Sequence, residues 1–240
     1  MQFSFPLVYH IHVLMKQITT ISQQAYEIIK EDIFSGRYPS GTWLQEKTIA
    51  EELGISRSPV REALRMLVAD GIATVTPNKG IFVRTYTPKD IENIFEVREA
   101  IENYAMIHTD SEVILQHQKE LEEEIRQFRK LHRSEDLEDY IRLDAKFHHQ
   151  IVEMNANDLM TALYEKAENQ NHQFRIISLT SRKRFDESEQ EHSEILENLL
   201  NGKKKEACKV NSRHLALARD QVIDYLREHA GSSENEKEDR

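Results

Sequence analysis

The sequence predicts a mainly α-helical fold, and three observations carry that prediction. Only 7 Gly and 5 Pro occur among 240 residues, so few positions interrupt a helix. Charged residues make up 31% of the chain and hydrophobic residues 39%, a balance typical of long helices that bury one face and expose the other. Few segments have the alternating pattern of a β-strand. The length is compatible with one or two domains.

Before residue 86 the apolar pattern predicts three helices followed by a hairpin. Each helix is followed by a glycine that can adopt the left-handed cap conformation, namely Gly36, Gly54 and Gly71. Two β-prone runs then flank Pro77-Asn78-Lys79-Gly80, whose residue types favour a turn. The predicted helices cover 22–34, 47–53 and 56–70, and the predicted strands cover 72–76 and 81–85.

After the hairpin the pattern predicts only helices. Thr87-Pro88 marks a helix start, because Thr is a good N-cap and Pro is tolerated in the first turn. We expect helices over 88–108, 111–133, 135–154, 157–179, 186–201 and 203–229, with a break in the charged stretch 181–188. The chain is therefore divided into a disordered extension over 1–14, a helix-and-hairpin domain over 15–86, an all-helical domain over 87–230 and a disordered tail over 231–240.

Cysteine usage and hydropathy limit where the chain can reside. Cys208 is the single cysteine, so no internal disulfide can form, which suits a reducing compartment. No apolar run approaches the roughly 20 residues needed to span a bilayer. Residues 1–14 lack the basic start of a secretory signal. We expect a cytoplasmic protein with no membrane partner.

The net charge of -10 is unevenly distributed along the chain. Residues 15–85 carry nine Lys and Arg against eight Asp and Glu, a net of +1, whereas the rest of the chain carries -11. A segment this weakly basic can bind nucleic acid only through locally clustered cations. The charge balance therefore disfavours a structural protein that coats DNA non-specifically.

Such a cluster lies on the second of two closely spaced helices. The short helix, the turn at Gly54 and the helix that Ser56 can cap follow the helix-turn-helix plan. Arg57, Arg61 and Arg65 share one face of the second helix, from which they can reach phosphates or the guanine edge. The alternative is an ordinary amphipathic helix pair with solvated arginines. The agreement of turn, spacing and following hairpin, with Lys79 at its tip, favours a winged helix-turn-helix.

These residues resemble the GntR superfamily of bacterial transcription regulators over most of residues 20–85. The resemblance is carried by Ile49-Ala50-Glu51-x-Leu53-Gly54-Ile55-Ser56-Arg57-x-Pro59-Val60-Arg61-Glu62-Ala63-Leu64, by Leu67-x-x-Asp70-Gly71 and by Gly80-x-x-Val83. It implies DNA contacts from the recognition helix and a wing that enters the minor groove. The predicted DNA-binding residues are Lys47, Ser56, Arg57, Ser58, Arg61, Arg65, Lys79 and Gly80. Gln45 departs from the family, which usually has a capping Ser there.

Four residues of the acidic half form a candidate metal site. Asp144 and His148 are four residues apart on one predicted helix, so both can reach one ion. His192 and His214 lie beside apolar stripes of two later helices. Three imidazoles and one carboxylate suit zinc, nickel, cobalt or manganese and leave positions for an anionic ligand. The alternative is that these are ordinary histidines, since spacing alone does not show that the helices converge.

Residues 88–227 resemble the FCD ligand-binding domain of the FadR-type branch of the same superfamily. Asp144, His148, His192 and His214 match the four positions of its metal-binding members, which implies a divalent transition metal, zinc or nickel. The segment around Arg98 also matches, and there the arginine pairs with a carboxylate effector. Arg175 is a second effector-binding candidate. The alternative for Arg98 is a structural salt bridge with a nearby Glu.

The sequence therefore predicts a mainly α protein with an N-terminal winged helix-turn-helix and a C-terminal all-α helical bundle of the FCD kind. We expect a homodimeric repressor that binds a short inverted repeat and responds to a small carboxylate held at the metal site. One alternative is a regulator for which the metal ion itself is the effector. Another is a metal-dependent hydrolase, although the sequence lacks a His-Glu-x-x-His motif, and we do not expect an enzyme.

Overall fold

The computed structural model describes residues 19–230, and both the extension predicted over 1–14 and the tail over 231–240 lie outside this range. The described part contains ten α-helices and one two-stranded antiparallel sheet. The elements are α1 Ile21–Phe34, α2 Glu46–Leu53, α3 Arg57–Ala69, β1 Ala73–Thr76, β2 Gly80–Val83, α4 Pro88–His108, α5 Ser111–Gln116, α6 Gln118–Ser134, α7 Leu137–Glu153, α8 Asp158–Thr180, α9 Arg182–Leu200 and α10 Lys204–Ala230.

The first three helices and the hairpin enclose one apolar core. Val60, Ala63, Leu64 and Leu67 bury one stripe of α3 completely, as their spacing predicts. Strands β1 and β2 pair in the register Ala73 to Val83 through Thr76 to Gly80, which gives a short wing beside α3. These elements form the helix-turn-helix and wing that the sequence predicts.

The turn between α2 and α3 differs from the prediction in one detail. Gly54 ends α2 in the left-handed conformation, with φ of 65°. Ser56 occupies the N-cap position of α3, but its side chain makes no capping hydrogen bond to the helix. Ser56 is exposed, so water can satisfy the free N–H groups that a cap would otherwise accept from. Gln45 likewise does not cap α2, which agrees with its departure from a capping Ser.

Helices α4 to α10 pack around a second and larger apolar interior. Thr87 and Asp90 form a reciprocal capping box at the start of α4, so the predicted start at Pro88 is confirmed. Helix α10 runs against α4, α8 and α9, while α6 and α7 cover the other side of the bundle. Tyr140, Phe128 and Phe147 are fully buried at its centre. None of the described helices is long and apolar enough to cross a membrane.

Two predicted helix limits in the bundle are wrong. Helix α9 begins at Arg182, so the break predicted over 181–188 is reduced to the junction at Ser181. The reason is that Arg184 and Phe185 are buried against the rest of the bundle, which makes this charged stretch part of the packed helix. The helix predicted over 111–133 is divided at His117, which ends α5 and precedes α6.

Helix α8 contacts the N-terminal elements through its middle turns. The His172 ring stacks on Phe34 of α1, with centroids 4.2 Å apart. Gln170 accepts a hydrogen bond from Arg84, which follows the wing. Phe174 packs edge-on against Tyr86, with centroids 4.9 Å apart. The bundle and the helix-turn-helix are thus in direct side-chain contact.

Candidate functional site

Four polar side chains from three helices meet in the interior of the bundle. Asp144 and His148 lie one turn apart on α7, His192 lies on α9 and His214 lies on α10. All four are buried, and each offers one ligand atom within 4.8 Å of the others. The convergence that spacing alone left open is therefore present. His149, the neighbour of His148, points away and meets Glu168 at 3.0 Å.

The distances inside the cluster fit a single divalent ion. Nε2 of His192 lies 3.1 Å from Oδ1 of Asp144 and 3.4 Å from Nε2 of His148. The third distance, from Nε2 of His148 to Oδ1 of Asp144, is 3.9 Å. Ligands about 2.1 Å from a tetrahedral ion stand about 3.4 Å apart. Three imidazole nitrogens and one carboxylate oxygen are a suitable donor set for zinc or nickel.

The outer nitrogen of each histidine is held by a further side chain. Nδ1 of His148 lies 2.9 Å from Oε2 of Glu102, and Nδ1 of His214 lies 2.9 Å from Oε2 of Glu191. The hydroxyl of Tyr140 lies 3.4 Å from Nδ1 of His192. Hydrogen bonds of this kind fix the ring orientation and leave the Nε2 lone pair for a metal. Sequence reasoning missed Glu102 and Glu191, which look like ordinary helix-surface acids in the sequence.

Charge and burial keep Asp144, His192 and His214 in the protonation states that ligate a metal. Burial alone would raise the pKa of Asp144, but Arg175 and His192 outweigh it and hold that pKa well below its usual range. Burial lowers the pKa of His192, and it lowers the pKa of His214 well below its usual range. An ionised carboxylate and neutral imidazoles are the forms that bind transition metals.

Three guanidinium groups surround a small cavity beside this cluster. Arg98 donates from Nε to Glu102 at 3.0 Å, so the salt bridge foreseen as an alternative is present. Arg175 donates from Nε to Asp144, and Arg184 donates from Nη2 to Glu191 at 2.6 Å. Nη2 of Arg98 also lies 3.0 Å from Oε1 of Glu102, so this guanidinium is paired. Arg175 and Arg184 each have a further buried nitrogen that no protein group among residues 19–230 accepts from.

The cavity between these arginines has a volume of about 20 Å³. That is room for one or two waters and too little for an organic ligand. Arg184 lines it together with His214, yet sequence reasoning missed Arg184, because it lies in the stretch that was predicted to be a break. The spacing of Arg184 and Phe185 from Ser188 and His192 could have revealed it, because residues so spaced lie on one face of a helix, and that face is buried.

The predicted DNA-binding residues lie on the surface of the winged helix-turn-helix. Arg57, Arg61 and Arg65 project from the exposed face of α3. The remaining members of the predicted set are also exposed, namely Lys47 on α2, Ser56 and Ser58 at the start of α3, and Lys79 and Gly80 at the wing. A residue that sequence reasoning missed, Glu46, binds two of these arginines through its carboxylate.

Two family models match the chain. The model of the bacterial regulatory proteins of the gntR family matches residues 21–83, and the model of the FCD domain matches residues 93–217. The first range contains the helix-turn-helix with its wing, and the second contains all four members of the buried Asp–His cluster. The start of α4 at Pro88 lies between the two matched ranges.

Similar proteins of known sequence or structure cover most of the chain. YdhC, an HTH-type transcriptional regulator of Bacillus subtilis (strain 168), is 32% identical over 190 residues, 78% of this chain and 83% of that protein. The gluconate operon transcriptional repressor of the same organism is 30% identical over 195 residues, 80% of this chain and 77% of that protein. A crystal structure of a GntR regulator from Rhodococcus sp. RHA1 has a TM-score of 0.72 and 21% identity, and covers 85% of this chain and 97% of that one.

Proposed function

The chain belongs to the gntR family of bacterial regulatory proteins and contains an FCD domain, and from this premise we propose that it is a repressor controlled by a small carboxylate bound beside a divalent metal. The observation that carries the proposal is the buried Asp144, His148, His192 and His214 cluster with three arginines around it. The families and relatives are transcriptional regulators, so the hydrolase alternative is set aside. Residues 15–86 would bind DNA and residues 87–230 would bind the effector.

The exposed face of α3 supports operator binding. Arg57 and Arg61 lie on its N-terminal turns, which are the turns that a recognition helix directs at base edges. Arg65 follows one turn later, where it can contact a phosphate. Lys79 and Gly80 at the wing lie in reach of an adjacent groove. We further propose a homodimer, because an inverted repeat requires two recognition helices related by a two-fold axis.

The bound metal would supply a fixed positive charge with open coordination positions for a carboxylate oxygen. Zinc or nickel fits the three imidazoles and the carboxylate of the cluster. Asp144, His148, His192 and His214 would hold the ion, and Glu102 and Glu191 would keep two of the imidazoles in the ligating tautomer. Arg184 lies 2.9 Å from Nδ1 of His214 as well, but only the contact with Glu191 leaves Nε2 free to ligate.

The arginines support an anionic effector. Arg175 and Arg184 have buried guanidinium nitrogens that no protein group among residues 19–230 accepts from. A carboxylate that accepts two hydrogen bonds from a planar guanidinium in such a buried place gains more than one at the surface. Arg98 and Arg175 are the predicted effector-binding residues, and Arg184 joins them on the same cavity. Because that cavity admits only one or two waters, an organic effector would have to move at least one surrounding helix.

Helix α8 is suited to carry such a movement to the DNA-binding part. Arg175 lines the cavity, while Gln170 and His172, one turn earlier, contact the N-terminal elements. A shift of α8 that makes room for the effector would also disturb these contacts. By linkage, the effector's preference for the shifted form would equal its effect on DNA affinity, typically about 1–3 kcal/mol.

The small cavity favours a second candidate function, in which the metal ion alone is the effector. An ion needs no further space, and the four ligand atoms are already within 4.8 Å of one another. Operator binding that depends on zinc or nickel with no organic ligand would support this reading. Binding that changes only when a carboxylate is added would support the first.

The first experiment measures transition-metal content in wild type, in His192→Ala and in His149→Ala. His149 is the matched control because it neighbours a cluster residue but pairs with Glu168. We expect about one metal per chain in wild type and in His149→Ala and none in His192→Ala. Equal metal content in all three would contradict the proposed site. Small carboxylates are then screened on the metal-loaded protein for an effect on melting temperature and DNA affinity.

A further inference from the structure

One carboxylate binds both arginines at the start of the recognition helix. Glu46 is the first residue of α2, and its side chain is 24% exposed. Its two oxygens accept from Nε of Arg61 at 2.9 Å and from Nη2 of Arg61 at 2.8 Å. Oε2 also accepts from Nη2 of Arg57 at 3.3 Å. The hydrogen bond from Arg61 lowers the pKa of Glu46, so the carboxylate is ionised at neutral pH.

The contact occupies one edge of the Arg61 guanidinium and leaves another edge free. A guanidinium has five N–H donors in a fixed fork. Glu46 takes the side edge, which is formed by Nε and Nη2. Within residues 19–230, Nη1 makes no hydrogen bond, so the end edge formed by Nη1 and the second proton of Nη2 is open. The Arg61 side chain is 49% exposed, so this edge is accessible to a ligand.

The open edge has the geometry that reads guanine. Guanine presents O6 and N7 as two adjacent acceptors in the major groove, and a bidentate arginine is their commonest partner. A guanidinium already held in place loses less side-chain freedom when it binds. Glu46 also cancels one of the two positive charges of Arg57 and Arg61, which reduces attraction to phosphates of any sequence.

We propose that Glu46 is a positioning residue for sequence recognition: it directs the open edge of Arg61 at a guanine and suppresses non-specific binding. The inference rests on the proposed DNA-binding function and adds the base that is read and the residue that enforces it. A purely structural role of Glu46 would have a different experimental outcome. An acidic residue in the first turn of α2 stabilises that helix through its dipole, which changes stability and leaves sequence preference intact.

The test begins by selecting a duplex from a randomised DNA library with the wild-type protein. Affinities are then measured for the selected duplex, for a scrambled duplex and for the selected duplex carrying 7-deazaguanine, which lacks the N7 acceptor. The variants are Glu46→Gln and the matched control Glu51→Gln. Glu51 lies on the same helix, is 68% exposed and meets Lys47 at 3.9 Å. Both variants remove one negative charge.

For Glu46→Gln we expect the preference for the selected over the scrambled duplex to fall about tenfold. Affinity for the scrambled duplex should stay equal or rise, and the penalty for 7-deazaguanine should shrink. Glu51→Gln should keep both the preference and the penalty. Glu46→Asp, which retains a carboxylate, should keep part of the preference, and it serves as the test if Glu46→Gln does not fold.

Two results would overturn the inference while leaving DNA binding intact. One is an unchanged preference and an unchanged 7-deazaguanine penalty in Glu46→Gln. The other is that both Gln variants change every duplex to the same extent, which would mark a simple charge effect. If the wild-type protein selects no sequence, the proposed operator binding fails and the inference fails with it.

Discussion

Replacing His172 by Phe should remove part of the acid sensitivity of the fold. His172 lies on α8 with its ring stacked on Phe34 of α1, and its centroid is 4.2 Å away. Burial lowers the pKa of His172 to about 4, and the positive charges of Arg175 and Lys30 act in the same direction, while Glu168 opposes them. Phe can keep the stacking without a titratable group. The substitution therefore isolates the cost of protonating this contact.

The sign of the effect follows from the two pKa values. In the unfolded chain the imidazole titrates near 6.5, whereas in the folded protein it titrates near 4. Between these values the unfolded state binds more protons, so the free energy of unfolding rises with pH. The stability is complete above about pH 6.5 and is lost as the pH falls towards 4. Between about pH 7.5 and pH 5 this single group accounts for about 2 kcal/mol, or about 1 kcal/mol after allowance for its partial exposure.

Urea denaturation at about pH 7.5 and pH 5 measures the effect in wild type and in His172→Phe. We expect the variant to lose about 1–2 kcal/mol less than wild type on acidification. Other groups that titrate in this range contribute to both proteins and cancel in the comparison. His108→Phe is the matched control, because the His108 ring also packs on an aromatic ring, that of Tyr104 at 4.2 Å and tilted by 32°, but is exposed. Equal pH dependence in wild type and His172→Phe would refute the reasoning.

Three further substitutions test other parts of the molecule. Glu102→Gln should weaken zinc or nickel binding about 10- to 100-fold, because Glu102 accepts from Nδ1 of His148. Calorimetric titration measures this, and unchanged affinity would contradict the role. Leu64→Ala should lower the free energy of unfolding by about 2–5 kcal/mol in urea, because Leu64 is fully buried in the core of the winged helix-turn-helix. A smaller loss would mean that the core closes around the gap. Gly80→Ala should weaken DNA binding and change Trp43 fluorescence. Gly80 has φ of +117°, where an L side chain is strained, and a Cβ would lie 2.7 Å from Nε1 of Trp43, so either the Trp43 indole or the wing must shift. Unchanged fluorescence and affinity would show that the wing tolerates the methyl group.

The sequence was sufficient where local chemistry decides the structure. Glycines end α2 and precede the wing because only they adopt these left-handed conformations without strain, and both are recognisable in the sequence. The Thr87-Pro88 start of α4 is equally local, since the capping box involves residues only three positions apart. The spacing of Val60, Ala63, Leu64 and Leu67 also predicted the buried face of α3.

Tertiary contacts decided what the sequence did not reveal. Residues 181–188 look like a solvated loop, because the burial of Arg184 depends on Glu191 and on the helix that carries His214. In the sequence Glu102 is recognisable only as a neighbour of Arg98. Its contact with His148 depends on the packing of α4 against α7, which the sequence does not reveal. Glu46 shows the same limit, since nothing in the sequence pairs it with residues 11 and 15 positions later.

The three arginines around the cavity bear on how an effector could act. Arg175 and Arg184 have buried nitrogens that no protein group among residues 19–230 accepts from, and they line a cavity with room for water. Under the proposed function a carboxylate would accept charge-assisted hydrogen bonds from these donors, which gain more than bonds to water, and a bound divalent ion would strengthen its attraction. Since the cavity admits only one or two waters, this gain is available only if a helix moves. Arg175 lies on α8, the helix that also contacts α1 through His172, so the free energy gained by satisfying the arginines is available to change the contact with the DNA-binding part.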